Sequence, residues 1–181
     1  MDAIALVRRL HQHRLWVNRE LLAAAEQLSD EQLRRNFPIG QGSIWKSLTH
    51  LYAAEYVWLE ALAGNENPLT PGDLVGRLPG NQEGEGAMNS VPDLRFRWSE
   101  LDERWTGYLT DLQRDSLTEM VYKLNSISRQ RQSTTRCDIL LHVCTHAQYT
   151  TAQVINMMRH VGVEQLPDPM MITLARKELA G

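Results

Sequence analysis

Apolar residues recur at spacings of three and four along most of this 181-residue chain. That spacing is typical of α-helices that bury one face against a core. The pattern predicts four long helices, which is enough for a bundle. They cover approximately residues 2–28, 43–64, 92–112 and 135–161.

The inward face of the first predicted helix follows from the same spacing. Leucines are its most frequent apolar residues, and a stripe drawn through them defines the face expected in the core. That stripe consists of Leu6, Leu10, Val17, Leu21 and Leu28. Between this helix and the next, Ser29 with Gln32 three residues later predicts a capping box and a short helix.

Residues 64–92 differ from the rest of the chain. They hold six of the eleven glycines and four of the seven prolines, and they show no helical period. Neither flank could form a core alone, so we expect a long crossover loop inside one domain spanning residues 1–181. Weaker patterns predict a small hairpin near 120–134 and a short last helix at 170–179. The predicted fold class is all-α, a four-helix bundle with one long crossover loop.

Composition narrows the classes of function. A net charge of −3 and a pI near 6.1 argue against nucleic acid as the main partner, because phosphate binding requires a clustered basic surface. No apolar run of about 18 residues is present, so no membrane span is expected. Nothing at the amino terminus resembles a signal peptide. Cys137 and Cys144 are too far apart on one predicted helix to form a disulfide, and the expected location is the cytoplasm.

Histidines are the strongest candidates for chemistry. His142 and His146 lie four residues apart on the fourth predicted helix, so both imidazoles can point from one face. His50 lies on the second helix. Two ligands from one helix and one from a facing helix can build an open metal site. The alternative for each is a half-buried histidine that is hydrogen-bonded to a neighbouring helix.

Other polar residues have less specific patterns. Glu55 falls on the inner stripe of the second helix, where it could be a metal-site neighbour, a general base or a salt-bridge partner. A buried salt bridge is the interpretation favoured by that position. His11 and His13 point to different faces of the first helix and are expected at the surface or in a groove. No glycine-rich phosphate loop, zinc-ribbon cysteine pair or serine elbow is present.

Several segments carry a family resemblance, namely residues 16–29, 42–44, 48–51, 55–59, 142–146, 149, 153–154 and 162. They resemble the DinB family, whose name refers to induction by DNA damage. The resemblance covers most of the chain and implies a four-helix bundle, usually a homodimer, that holds a divalent metal through three histidines. His50 matches the ligand from the second helix, and the fourth helix contributes two more. Relatives include thiol-dependent transferases and isomerases, and many have no assigned reaction.

The fourth helix departs from the family pattern. Members continue with Tyr-His-Arg-Gly-Gln where this chain has Tyr149-Thr150-Thr151-Ala152-Gln153. The resemblance places the two ligands of this helix at His146 and Thr150, so a threonine stands where a histidine is expected. A hydroxyl is a poor substitute for imidazole on zinc or nickel. His142, one turn earlier, is the candidate to complete a triad with His50 and His146.

Two hypotheses follow. In the first, the chain is a DinB-like, metal-dependent hydrolase or thiol-dependent transferase that uses zinc or nickel at His50, His142 and His146, or at a weakened site of His50 and His146 alone. Glu55 or Tyr149 then handles the proton. In the second, it is a metal-free, dimeric helical bundle that binds a small apolar or thiol ligand beneath the 64–92 loop. A role in binding DNA ranks last.

Overall fold

The structure, a computed structural model, describes residues 2–180, and within them the predicted four-helix bundle is confirmed. Two short α-helices, a 3-10 helix (Asp115–Thr118) and one antiparallel hairpin complete it, and the hairpin is also where the sequence predicts it. The strands are β1 (Met120–Leu124) and β2 (Arg131–Thr135). The helices are α1 (Ala3–Ala25), α2 (Asp30–Arg34), α3 (Ile44–Leu62), α4 (Val91–Asp111), α5 (Arg136–His160) and α6 (Met171–Ala180).

Local sequence signals set the ends of the helices. The Ser43 hydroxyl accepts a hydrogen bond from the Lys46 amide at 3.1 Å, which caps α3. Ser29 and Gln32 form the predicted capping box at α2. Gly64 and Gly162 follow α3 and α5 with φ of +97° and +87°, a left-handed conformation that ends a helix and favours glycine.

The four long helices form a ring in the order α1, α5, α3, α4. Helix α3 therefore packs against both α5 and α4, while α1 packs against the other sides of the same two helices. The tryptophans of α4, Trp98 and Trp105, are fully buried, as their spacing predicts. This order places His50 of α3 directly opposite the histidines of α5.

The predicted inner face of α1 is partly wrong. Val17 and Leu21 are buried, but Leu6 and Leu10 are 54% and 36% exposed. The inward face instead carries His11, Arg14 and Asn18. The stripe drawn from leucines alone failed because these polar residues find hydrogen-bond partners inside the bundle, which offsets the cost of burying them.

His11 is the clearest case, since it was expected at the surface or in a groove. Its ring is fully buried, and Nε2 donates to the Leu140 carbonyl of α5 at 3.1 Å. Burial lowers the pKa of His11 to about 3, and the charge of Arg14 acts in the same direction. His11 is therefore a neutral core residue that connects α1 to α5.

The crossover between α3 and α4 is tied down at several points. Its first turn pairs with the hairpin, because the Leu124 amide donates to the Glu66 carbonyl at 2.7 Å and Arg131 forms a two-pronged ion pair with the Glu66 carboxylate. Further along, the Asp73 carboxylate accepts from the Gly80 amide at 2.6 Å and from the Gln82 amide at 2.9 Å. These contacts fix residues 79–80 over α3.

No helix within residues 2–180 is long and apolar enough to cross a membrane, as expected.

Candidate metal centre

His50 of α3 and His146 of α5 meet in the space between their helices. Their Nε2 atoms are 3.3 Å apart, and their ring centroids are 5.2 Å apart with the ring planes at 73°. Both rings are half-buried. Two of the three predicted ligands are thus brought together with their ring nitrogens facing one another.

The crossover orients His50. Nδ1 of His50 lies 2.8 Å from the Pro79 carbonyl oxygen, and because a carbonyl only accepts, Nδ1 carries the proton and donates. In the neutral ring Nε2 then has a free lone pair, and this lone pair faces His146. A backbone carbonyl holding the far nitrogen is a common way of fixing the tautomer and orientation of a histidine ligand.

Gly80 allows the crossover to approach this closely. It has a φ of +84°, and a Cβ at this position would lie 2.4 Å from the His50 Cα and 2.5 Å from the Thr49 carbonyl oxygen. The Thr49 hydroxyl donates to the Gly80 carbonyl at 3.0 Å, which closes the contact from the α3 side. Only glycine fits between the crossover and α3 here.

His142 lies at the edge of the pair. Its ring centroid is 5.6 Å from that of His146, and its ring meets the Trp58 indole at 5.5 Å in an edge arrangement. The Lys123 ammonium of the hairpin lies 5.3 Å from the same indole. His142 therefore neighbours the pair, but its ring packs against Trp58 and is more exposed than the other two.

Burial favours the neutral form of His146 and His142. It lowers the pKa of His146 to about 4, with the charges of His50 and His142 as smaller contributions in the same direction. It also lowers the pKa of His142. Neutral imidazole is the form that binds a metal.

The separation of the pair matches that of two zinc ligands. Two imidazole nitrogens bound to zinc at tetrahedral angles are about 3.3 Å apart. The Nε2 atoms of His50 and His146 have that separation. The same distance also permits a hydrogen bond from His146 Nε2–H to His50 Nε2, which is the alternative interpretation of these residues.

The third ligand is where the fit is incomplete. Within residues 2–180, no group of three or more histidine, cysteine, aspartate or glutamate side chains is arranged to hold a metal ion. Thr150, where the family resemblance expects a histidine, lies one turn beyond His146 and is buried. The described side chains therefore supply two nitrogen ligands in position and a third imidazole, His142, turned toward Trp58.

Glu55 does not join the histidines. Five residues beyond His50, it projects about 140° further round α3, toward the opposite side of the helix. There its carboxylate is buried, pairs with Arg14, and accepts from Asn18 Nδ2 at 2.8 Å and Trp98 Nε1 at 3.1 Å. The buried salt bridge favoured by the sequence is thus present.

Tyr149, the other predicted proton carrier, is 68% exposed. Its hydroxyl makes no hydrogen bond within the described part of the chain. Its catalytic role stays a prediction, as does that of Glu55.

Sequence reasoning missed Pro79, Gly80 and Trp58 as neighbours of the histidines. The loop residues carry no periodicity that reveals their partner. The one available signal was the glycine and proline content of residues 64–92, which indicated a long crossover loop without saying which residues it covers.

A model of the DinB family matches residues 2–177. The chain belongs to the DinB family. A protein named DinB from Bacillus subtilis (strain 168) is 22% identical over 159 residues, which cover 88% of each chain. The family assignment from the histidine and tryptophan motifs is therefore confirmed.

A solved structure supports the same fold. YfiT from Bacillus subtilis superposes with a TM-score of 0.65 at 17% identity, covering 90% of each chain. It is described as a probable metal-dependent hydrolase with an unusual four-helix bundle topology. At this identity the likeness to YfiT shows the fold, and what YfiT does is a statement about that protein.

The metal-free hypothesis predicted a ligand beneath the crossover. The cavity there, lined by residues such as Val57, Leu74 and Arg129, measures 60 Å³. A larger and mostly apolar cavity of 350 Å³ lies elsewhere, between α1, α5 and the segment before α6.

Proposed function

We propose that this DinB-family protein is a metal-dependent hydrolase whose divalent ion is held by His50 and His146, with His142 as the third ligand. The observation that carries the proposal is the 3.3 Å separation of the His50 and His146 Nε2 atoms. The Pro79 carbonyl adds support, because it leaves the His50 lone pair directed at His146.

The third position requires one local change. His142 is partly exposed, and within residues 2–180 no hydrogen bond holds its ring, so rotation about its side-chain bonds is open to it. Being four residues before His146, it rises from the same face of α5. Three imidazoles favour zinc or nickel over magnesium or calcium, which prefer oxygen.

The positions of the residues around the proposed metal site indicate a role for each of them. A divalent ion held by His50, His146 and His142 would lower the pKa of a bound water and so favour attack of that water on a carbonyl or phosphoryl centre. Pro79 and Gly80 hold His50 in orientation, and Trp58 covers one side of His142. Lys123, whose ammonium lies 5.3 Å from the centre of the Trp58 indole, is a cation available to a negatively charged substrate group.

Hydrolysis is preferred because the structurally similar YfiT is described as a probable metal-dependent hydrolase. A thiol-dependent transferase would use the same ion to activate a thiol and is the second candidate. The homodimer and the cytoplasmic location stay predictions.

A metal titration tests the proposal. The protein, purified without a nickel column and stripped with a chelator, is titrated with Zn²⁺ and Ni²⁺ in a calorimeter. We expect one ion per chain, with binding at least about 100-fold weaker in His50→Ala and in His146→Ala. His160→Ala, at the far end of α5, is the matched control and should bind like the parent.

If the parent binds no more tightly than a His50→Ala/His146→Ala double variant, the pair is a hydrogen bond between α3 and α5 and the proposal is wrong. A panel of ester and amide substrates then tests the reaction. Turnover should require the loaded ion and fall to background in His146→Ala. Turnover that survives chelation would contradict a metal-dependent mechanism.

A further inference from the structure

An apolar cavity lies on a different face of α5 from the histidines. It measures 350 Å³ and opens between α1, α5 and the residues that precede α6. Helix α5 lines it with Leu141, Cys144, Gln148 and Thr151, which are spaced three and four residues apart along one stripe. That stripe faces α1, whereas His146 faces α3. The cavity and the histidine pair are therefore separate sites.

Most of the cavity wall is apolar. Val17 of α1 is buried, while Leu10, Leu141 and Met170 are partly exposed where the cavity meets solvent. Exposed leucine and methionine side chains around an opening suit an apolar ligand. The side chains along the wall carry no acid group, and Arg14 is their one fixed charge.

The floor is polar and its hydrogen-bonding capacity is not used up. Arg14 is 2% exposed and gives one nitrogen to Glu55, but its Nε and Nη2 have no partner within residues 2–180. The Asn18 Oδ1 and the Thr151 hydroxyl, both at least nine-tenths buried, also lack one there. All three residues line the cavity, but these atoms expose no surface to it, so a bound ligand would reach them only after their side chains turn. Buried polar groups left this way are rare and require a partner.

Charge decides what kind of partner fits. Burial raises the pKa of the Glu55 carboxyl, but the charge of Arg14 and the hydrogen bonds from Asn18 and Trp98 oppose that rise, and these three contacts favour the ionised form. The Arg14 and Glu55 charges therefore cancel. A ligand carboxylate would add an uncompensated negative charge next to Glu55 in a buried region, which is costly.

The pattern of donors and acceptors narrows the ligand further. Arg14 offers unpaired N–H groups, which require an acceptor oxygen. Asn18 Oδ1 requires a donor, and the Thr151 hydroxyl can act as either. A primary carboxamide presents one carbonyl oxygen and two N–H donors at the same end of a molecule. We propose that this cavity binds a small neutral ligand with an apolar body and a carboxamide head, seated on Arg14, Asn18 and Thr151.

Two chain-matched probes test the proposal by calorimetry at pH 7.5. Hexanamide is neutral, and hexanoate has the same chain with a charged head. We expect one hexanamide per chain, bound at least about tenfold more tightly than hexanoate. Thr151→Val removes one hydroxyl at nearly constant volume and should weaken hexanamide binding about fivefold or more. Thr110→Val, on exposed α4 surface, is the matched control and should change nothing.

A second variant guards against failure to fold. Leu141→Trp, at the partly exposed rim, should block hexanamide while circular dichroism shows an intact bundle. His50→Ala should leave hexanamide binding unchanged, which separates this site from the histidine pair. The proposal is overturned if hexanoate binds as tightly as hexanamide, if hexanamide does not bind up to its solubility, or if folded Leu141→Trp binds it normally.

Discussion

The imidazoles of His50 and His146 face each other at 3.3 Å between their Nε2 atoms, although 96 residues separate them in sequence. This contact joins the middle of α3 to the middle of α5. It depends on the bundle order, which places these two helices side by side, and on the crossover, which turns the His50 ring.

The contribution of His142 can be separated from that of His146. We expect His146→Ala to remove tight Zn²⁺ binding and His142→Ala to weaken it by about 10- to 100-fold, the cost of losing one of three ligands. The measurement is a competition titration with a chromophoric chelator. If His142→Ala binds Zn²⁺ like the parent, His142 is a rim residue and the site has two protein ligands.

Thr150→His should restore the ligand set that the family pattern expects. With histidines at 146 and 150 on one face of α5 and His50 opposite, Zn²⁺ affinity should rise at least about tenfold. Thr150 is buried, so the larger ring should also lower the free energy of unfolding by about 1–3 kcal/mol. Thr145→His, on an exposed part of the same helix, is the control and should leave affinity unchanged. A Thr150→His protein that gains metal over a parent with none would show that the natural chain has lost its site.

Gly80→Ala should disturb the metal site from outside it. The new Cβ would lie 2.4 Å from the His50 Cα, so the crossover must shift and the Pro79 hydrogen bond with it. Loss of such a supporting contact typically weakens metal affinity about 10- to 100-fold.

Gly76→Ala is the matched control for that variant. Gly76 has a similar φ of +79°, but a Cβ there meets nothing within 4 Å. It should reduce the free energy of unfolding by about 1–2 kcal/mol through backbone strain alone, with metal affinity unchanged. Equal metal affinity in the two variants would show that the crossover does not orient His50.

Glu55→Gln should affect stability rather than the metal. It leaves Arg14 buried without its counter-charge, a change that typically costs about 3–5 kcal/mol. Urea unfolding measures the loss of stability. The double variant Arg14→Met/Glu55→Gln should recover part of that loss, because Arg14→Met removes the charge that Glu55→Gln leaves unpaired. Weaker Zn²⁺ binding in folded Glu55→Gln would instead place Glu55 in the chemistry, as one of the sequence hypotheses has it.

Asp102 gives the stability a dependence on pH. Burial raises its pKa to about 7, the charge of Glu55 adds to the effect, and Arg14 and the exposed Arg19 oppose it. The folded protein therefore holds a proton that the unfolded chain has released, and stability falls as pH rises from about 4 to 7. For a single group this loss is at most about 4 kcal/mol.

Asp102→Asn isolates that group. Urea unfolding of the parent and the variant at pH 5.5 and pH 8 gives two differences in stability. We expect Asp102→Asn to gain stability relative to the parent at pH 8 and to gain less at pH 5.5. An equal difference at both values would mean that Asp102 has an ordinary pKa in the folded protein.

The fold was accessible from the sequence because its signals are local. A serine caps the start of α3 and a threonine caps the start of α5, and glycines with positive φ follow both helices. The spacing of apolar residues by three and four predicts most of the core residues. The prediction for α1 failed where a rule based on leucines treats polar residues as surface. Arg14 and Asn18 are inside because Glu55 of another helix receives them, a pairing that no single segment reveals.

The candidate site was accessible only in part. Spacing and resemblance identify His50, His142 and His146. The distances between them depend on the axial position of α3 relative to α5, and the sequence of neither helix alone determines that position. The role of Pro79 depends on the path of an aperiodic loop. Residues that act through their backbone carbonyl leave no side-chain pattern to detect.

The tie between the crossover and His50 couples loop motion to ligand geometry. The Gly80 amide is held by Asp73, and the adjacent Pro79 carbonyl holds His50, so one opening of the loop releases both hydrogen bonds. Hydrogen exchange at the Gly80 amide would therefore count how often the His50 ring is free to turn. A metal bound by His50 would slow that exchange. The exchange rate of one backbone amide would then report whether the metal site is occupied, although Gly80 contributes no ligand atom to it.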